Sequence, residues 1–173
     1  STGGDQLVKL WDIDREKCMA ELHAHDTLVM DCSLTPRGLV TADANGVVKL
    51  WDVRERECAA TFIVPEVITN EGPARPIADL TLTSDGSRLF SGAGGGGLRS
   101  GMIEWDKRTR SFLHKVGWHE GSILNLAVAC EDTMLVSVSK DGSMQCRDLR
   151  PSKKGDDTFF EDPNNAFPVV VEQ

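Results

Sequence analysis

The sequence predicts an all-β fold of repeated, four-stranded antiparallel sheets, and three observations carry this prediction. A short aliphatic run that closes on Trp-Asp returns along the chain. Its copies recur about every 40 residues, since Trp11 and Trp51 are 40 residues apart and Trp105 and Arg147 are 42 apart. Within the copies, β-branched runs flank turn-forming residues, as strands flank a hairpin turn. A period of this length indicates a repeat architecture.

Each repeat contains signals for four strands. Leu39–Ala42 and Val47–Trp51 flank Asn45-Gly46, which favours a two-residue hairpin because these residues tolerate positive φ. Asp141-Gly142 stands in the same place in the last repeat. Other short strands precede the hairpins at Val29–Leu34, Ala78–Leu82 and Ile123–Val128, and follow the Trp position at Cys18–Leu22, Cys58–Phe62 and Ser111–Lys115. Four strands per repeat form one blade of a β-propeller, and the sequence holds about three and a half blades.

Over roughly residues 1–150 the chain resembles the WD-repeat family, whose repeats close on Trp-Asp. The resemblance implies that a hydrogen-bonded tetrad of His, Ser or Thr, Asp and Trp braces each blade. Residues ten and six positions before the Trp position, Ser91 at fourteen positions before it in the third repeat with its insertion, and the preceding histidines are the candidate members. These tetrad residues are Ser1, Asp5 and Trp11; His25, Thr41, Asn45 and Trp51; Ser91 and Trp105; and His119, Ser137 and Asp141.

The third repeat departs from this pattern by two insertions. Ten extra residues fall around positions 63–76 and four more within positions 94–101, and this repeat lacks the tetrad His and Asp. The family geometry places both insertions on one face of the propeller. Two interpretations stay open: surface loops vary freely in length, or these loops shape a recognition surface.

The last repeat has Arg147 in the Trp position. A buried guanidinium requires a partner, so we expect the blade to expose this side chain. The substitution fits either a degenerate repeat or a recognition role.

The sequence divides into a WD-repeat propeller segment at 1–150 and a linker with a C-terminal tail at 151–173. Thr158–Phe160 or Val169–Val171 could supply one closing strand. Because a part-ring would leave strand edges open, we expect part of a larger propeller of about seven blades, completed by further chain or by a partner.

Charge and cysteine content limit the partners and the compartment. A net charge of −8 opposes binding to a nucleic-acid backbone, so no nucleic acid is expected. Five scattered cysteines favour free thiols inside the cell, in the cytoplasm first and the nucleus second. The sequence shows neither a signal-peptide pattern nor an apolar run long enough to span a membrane.

The residues with reactive side chains do not form a catalytic or metal-binding pattern. His23 and His25 share a strand face, but no Cys or carboxylate joins them at zinc-binding spacing. The run Gly94–Gly97 lacks the Lys-Ser/Thr of a phosphate-binding loop. His119, Ser137 and Asp141 correspond to a structural network in the family rather than to a catalytic triad. We therefore expect no enzyme, no metal and no cofactor, and an enzyme that uses the central channel has no supporting cluster.

The resemblance implies a non-catalytic scaffold that mediates protein–protein interactions within a multiprotein complex. Family contacts carried over by position give seven candidate partner-binding residues: Asp26, Thr27, Ala44, Arg75, Arg99, Glu120 and Lys140. An alternative rests on Trp51-Asp52-Val53-Arg54 and Trp105-Asp106-Lys107-Arg108. These look like the WDxR motif of propellers that serve as substrate receptors of cullin-RING ubiquitin ligases.

Overall fold

The computed structural model describes residues 1–35, 38–63, 76–94, 100–106 and 111–150, and within these ranges the regular structure is entirely β. All strand pairs are antiparallel. The strands are β1 (Leu7–Asp12), β2 (Lys17–His23), β3 (Val29–Thr35), β4 (Gly38–Asp43), β5 (Val47–Asp52), β6 (Glu57–Ile63), β7 (Ile77–Leu82), β8 (Arg88–Ala93), β9 (Ser100–Asp106), β10 (Ser111–His119), β11 (Ile123–Ala129), β12 (Met134–Ser139) and β13 (Met144–Asp148).

The strands form four sheets in chain order, and each sheet is a blade. The first blade contains β1 and β2, the second β3 to β6, the third β7 to β10, and the fourth β11 to β13. Neighbours in sequence are neighbours in each sheet, which is the up-and-down arrangement of a propeller blade. The all-β blade architecture predicted from the repeat is therefore confirmed.

The hairpin turns differ from the prediction in length. Between β4 and β5 the turn has three residues, Ala44 to Gly46, and the Gly46 amide donates to the Asp43 carbonyl over 3.3 Å. Gly46 alone among these three residues has positive φ, at 78°. Gly142 plays the same part in the fourth blade with φ of 83°. The predicted two-residue hairpin was wrong, because a turn that ends on one left-handed glycine needs three residues.

The hydrophobic core is divided among the seams between adjacent blades. One cluster of buried side chains joins the first and second blades around Leu22 and Trp51. A second joins the second and third blades, where Phe62 meets the edge of Trp105 at 5.8 Å between ring centroids. A third joins the third and fourth blades around Phe90 and Ile123. Each blade is therefore stabilised mainly by burying apolar side chains against its neighbours.

Polar side chains reinforce the seam between the third and fourth blades. Arg88 forms a bidentate ion pair with the buried Glu104 at 2.7 and 2.9 Å and also donates to the Leu149 carbonyl at 2.9 Å. Asp132 accepts the Ser84 amide at 2.9 Å and the Ser84 hydroxyl at 2.5 Å. These two contacts link strand ends on one side of neighbouring blades.

Several sequence predictions fall on residues outside the described ranges. They are the inserted segment at 64–75, most of the glycine-rich insertion at 95–99, the WDxR arginine Arg108, and the tail at 151–173 with its candidate closing strands. Within the described part of the chain, no helix is long and apolar enough to cross a membrane.

Candidate functional site

The second blade contains a continuous chain of hydrogen bonds through its core. The Trp51 indole N–H can only donate, so the Thr41 hydroxyl oxygen accepts it at 2.9 Å. Thr41 then donates its own proton to Nε2 of His25 at 2.7 Å. The remaining ring proton, on Nδ1 of His25, donates to Asp43 at 3.1 Å. Every polar group in this buried chain is satisfied with a neutral histidine, which rigidifies the blade.

The acidic member of this chain is Asp43, whereas the sequence offset had assigned the position to Asn45. Asp43 is buried at the end of β4 and also accepts the Asn45 and Val47 amides at 2.9 and 2.8 Å. Asn45 is exposed at the tip of the turn. A carboxylate that caps the turn and faces the histidine accepts more hydrogen bonds than an amide at the tip of the turn would. For this reason Asp43, and not Asn45, is the acidic member of the chain.

Burial sets the protonation of His25. Removal from water lowers the pKa of its imidazole, and the neighbouring Asp43 offsets only part of this effect. The ring is thus neutral at neutral pH, which agrees with the hydrogen-bond directions given above. Lys49 completes the surroundings by donating to the Ala24 carbonyl at 2.9 Å, with its ammonium over the Trp51 ring.

The fourth blade has a related network with a different acid. Nε2 of His119 lies 2.7 Å from the Ser137 hydroxyl, and Nδ1 lies 2.8 Å from the Ser143 hydroxyl, which donates to Asp141 at 2.5 Å. Burial lowers the pKa of His119. Burial alone would raise the pKa of Asp141, but hydrogen bonds from Ser143 and from the Gly121 amide lower it to about 2. Here the residue six positions before the Trp position is the acid, reached through a hydroxyl.

In the described parts of the first and third blades, the bond between indole and hydroxyl is present. Trp11 donates to Ser1 at 3.0 Å, and Trp105 donates to Ser91 at 2.7 Å despite the four-residue insertion between them. Asp5 accepts the Leu7 amide at 3.2 Å. Among the described residues, the full chain of hydrogen bonds is therefore seen in the second blade.

Arg147, in the Trp position of the fourth blade, is half-buried rather than exposed. Its guanidinium lies against Gly117 so closely that a Cβ there would stand 2.4 Å from Nε. Its Nε is buried without a hydrogen-bond partner, and Nη2 makes a long contact of 3.4 Å to Gln145. The expected exposure was wrong because the glycine leaves room for the planar group between neighbouring strands.

The loops that enter each blade lie beside the turns between its second and third strands. The Ala44 amide donates to the Leu28 carbonyl at 3.0 Å, Lys140 to Ser122 at 2.8 Å, and Gly94 to Pro76 at 2.7 Å. In three blades these backbone bonds fasten the entry loop to the turn. We call the resulting surface the loop face, and its described members are residues 3–6, 24–28, 43–46, 119–122 and 140–143, with 76 and 94.

The loop face contains five of the seven candidate partner-binding residues. Asp26, Glu120 and Lys140 are exposed, whereas Thr27 and Ala44 are partly buried. Arg75 and Arg99 lie outside the described residues. A rigid surface with exposed charges of both signs suits the recognition of another macromolecule, because it needs no rearrangement on binding.

The hydroxyl groups of the two histidine networks lie inside the blades. Thr41 and Ser137 are buried, so neither hydroxyl faces solvent where a substrate would enter. Among the described residues, no group of three or more His, Cys, Asp or Glu side chains is arranged to hold a metal ion. The hydroxyl–histidine–carboxylate networks therefore brace the blades from within.

These blades, with their Trp, hydroxyl and His positions, resemble the blades of WD-repeat β-propellers. Residues 16–52 match the family model described as WD domain, G-beta repeat. The match runs from the end of the first blade through β5, and it confirms the resemblance predicted from sequence. WD-repeat domains generally bind other proteins and are generally non-catalytic.

A curated relative is Protein ROOT INITIATION DEFECTIVE 3 of Arabidopsis thaliana, which is 31% identical to this chain over 81 residues. The aligned part covers 47% of this chain and 18% of that protein. The chain thus spans less than a fifth of the relative it matches.

Proposed function

We propose that this chain is a non-catalytic scaffold that binds partner proteins through its loop face as a subunit of a larger assembly. One observation supports this most directly: the entry loops are bonded to the neighbouring turns, so exposed Asp26, Glu120 and Lys140 are held on a braced surface. Free cysteines, Cys18, Cys32, Cys58, Cys130 and Cys146, support a location inside the cell.

The test compares two double charge reversals in the full chain. Asp26→Arg with Glu120→Arg changes the loop face, and Asp14→Arg with Glu55→Arg makes the same charge change on exposed turns at the opposite strand ends. Partners captured with the wild-type chain should fall at least about tenfold with the loop-face variant, which corresponds to a contact of about 1.4 kcal/mol. The matched variant should retain them, and both should unfold at the wild-type temperature. Equal capture by both variants would refute the proposed surface.

A second candidate is a substrate-receptor role in a cullin-RING ubiquitin ligase. Its support is the turn after β5, where the Arg54 amide donates to Asp52 at 2.8 Å and the Arg54 side chain is exposed. This turn lies at the strand end opposite the loop face. Co-purification with the ligase adaptor that is lost in Arg54→Glu with Arg108→Glu, but kept in the loop-face variant, would favour this role over the first.

A further inference from the structure

The innermost strands of three blades have a β-bulge next to the loop face, and each bulge contains one extra apolar residue. In each of these strands the pairing register shifts at the second residue. The extra residues are Met30 on β3, Ala78 on β7 and Leu124 on β11. A bulge re-aims the side chain of its extra residue. We call these three residues the bulge arc.

Hydrogen bonds between the inner strands hold the three bulges side by side. Asp31 on β3 accepts the Leu80 amide of β7 at 2.8 Å. Asp79 on β7 accepts the Leu126 amide of β11 at 2.5 Å and the side-chain amide of Asn125 at 3.0 Å. Asp31, Asp79 and Asn125 each directly follow a member of the bulge arc. The arc therefore belongs to one braced surface that crosses three blades.

The two large members of the bulge arc are exposed to solvent. Met30 is 43% exposed and Leu124 is 58% exposed, and Leu28, in the entry loop of the second blade, is 50% exposed. Ala78 is half-buried and lies against the turn of its own blade, since a Cβ on Gly94 would stand 2.9 Å from the Ala78 Cβ. Single exposed apolar residues are common, but Met30 and Leu124 occupy equivalent positions in two blades. The arc thus presents a small residue between two exposed apolar ones.

Each large member of the bulge arc has an acidic residue four positions before it. Asp26 precedes Met30, and Glu120 precedes Leu124, and both acids are exposed on the loop face. The other exposed charged residues of the described loop face are Asp5, Asp141 and Lys140. Acids therefore outnumber bases around the arc, whichever pairs these groups form. The inserted segments of the third repeat carry charges that cancel in the sequence, on Glu66, Glu71, Arg75 and Arg99.

An apolar arc with acidic surroundings favours one class of occupant. It attracts an apolar side chain that is accompanied by Lys or Arg, because burial and charge complementarity then act together. A second copy of this chain would bring an equally acidic face, and anionic lipid or nucleic acid would be repelled in the same way. An extended protein segment can supply apolar and basic side chains at once.

We propose that the bulge arc binds an extended segment of a partner protein in which an apolar residue stands between basic residues. The apolar side chain of this segment lies over Ala78, between Met30 and Leu124. Its basic side chains lie toward Asp26 and Glu120. The proposal rests on the proposed function, in which the loop face binds partner proteins, and it adds the chemistry that this surface selects.

Selection of short random peptides on the full, immobilised chain tests the proposal. Peptides selected by wild type should be enriched in Leu, Met, Ile or Phe next to Lys or Arg. The arc variant, Met30→Ser with Leu124→Ser, should bind these peptides at least about tenfold more weakly, because it removes exposed apolar contacts and leaves the core intact. Asp26→Arg with Glu120→Arg should select peptides with acidic residues beside the apolar one.

The matched control is Leu34→Ser with Leu113→Ser. It removes exposed apolar side chains from the far end of β3 and from the outer strand β10, and should bind the selected peptides as wild type does. Both serine variants should unfold at the wild-type temperature. If the arc variant does not, Leu124→Lys, at the more exposed of the two positions, takes its place and should also weaken binding.

Three results would overturn the proposal. They are selection without a preference for apolar residues next to basic ones, equal binding of the selected peptides by wild type and the arc variant, and self-association of the wild-type chain that the arc variant abolishes. The last result would assign the arc to a second copy. If partner capture depends on Asp26 and Glu120 but not on Met30 and Leu124, the proposed function stands and the role of the arc is wrong.

Discussion

Thr41 is the residue on which the bracing of the second blade depends. Its hydroxyl accepts the Trp51 indole and donates to His25, and all three side chains are buried. Ser1 receives the same kind of bond from Trp11, but Trp11 is 52% exposed. The two bonds therefore allow the same type of hydrogen bond to be compared in a buried and in a solvent-exposed position.

Thr41→Val keeps the shape of the side chain and removes the hydroxyl. We expect a loss of about 2 kcal/mol in unfolding free energy, because the Trp51 N–H and the His25 ring would be left buried without their partner. Ser1→Ala should cost well under about 1 kcal/mol, since water can replace the lost acceptor. Urea unfolding of both variants checks this, and equal losses would contradict the role given to burial.

His25 and His119 make the stability of the chain depend on pH. Burial lowers the pKa of both in the folded state, so the unfolded chain takes up protons first as pH falls. Their contribution is present above the unfolded pKa of about 6.5 and is lost as pH falls below it. The slope of the unfolding free energy against pH reports how many protons the chain takes up on unfolding. Between pH 7 and 5 this number should be smaller in His25→Gln by up to one proton. An unchanged slope would argue against a neutral buried ring.

At the scale of single elements, the turns carry the tightest conformational demands. Gly38 opens β4 with φ of 141°, and a Cβ there would stand 2.4 Å from the Trp51 carbonyl oxygen. Gly142 has φ of 83°, but a Cβ there would meet nothing within 4 Å. Both glycines have positive φ, and only the first also lies against a neighbouring backbone.

Gly38→Ala should therefore destabilise the fold by more than Gly142→Ala. The second substitution carries the backbone cost alone, about 1 kcal/mol, whereas the first adds a contact with backbone that cannot move aside. Thermal unfolding of the two variants measures the difference. Equal shifts would mean that β5 yields to the new methyl group without cost.

The strands were predictable because alternating side chains and turn residues repeat along the chain, and the periods of successive copies reinforce one another. The acid of the second blade was not, since Asp43 and Asn45 stand two residues apart in one turn and both suit it. Asp31 carries no sequence signal for its contact with the Leu80 amide, which arises from strands that are distant in sequence and meet across a seam. Local chemistry fixes strands and turns, whereas polar contacts between blades depend on how the blades stack.

For the whole molecule, the seam between the third and fourth blades combines packing with charge. Glu104 is buried and pairs with Arg88, whose third donor reaches the Leu149 carbonyl in the next blade. The two blades also approach closely, because a Cβ on Gly92 would stand 2.7 Å from the Ile123 side chain. Charge pairing and tight packing thus act on the same two blades.

Arg88→Met should lower the unfolding free energy by about 2 kcal/mol, since it leaves the Glu104 carboxylate buried beside His114 alone, and partial exposure of Arg88 moderates the loss. Adding Glu104→Gln to Arg88→Met should restore part of the stability by removing the uncompensated charge. Urea unfolding of wild type, both single variants and the double variant gives the coupling. No recovery in the double variant would show that packing of the arginine, rather than charge, holds the seam.

Because the core is divided among seams, we expect the chain to unfold as a row of coupled units rather than as one cooperative body. Its free energy becomes a sum of blade terms and nearest-neighbour terms, as in a linear Ising model. The second and third blades each share two seams, whereas the first and fourth blades share one in the described structure. Amide-exchange lifetimes compared between the blades would record the strength of each coupling.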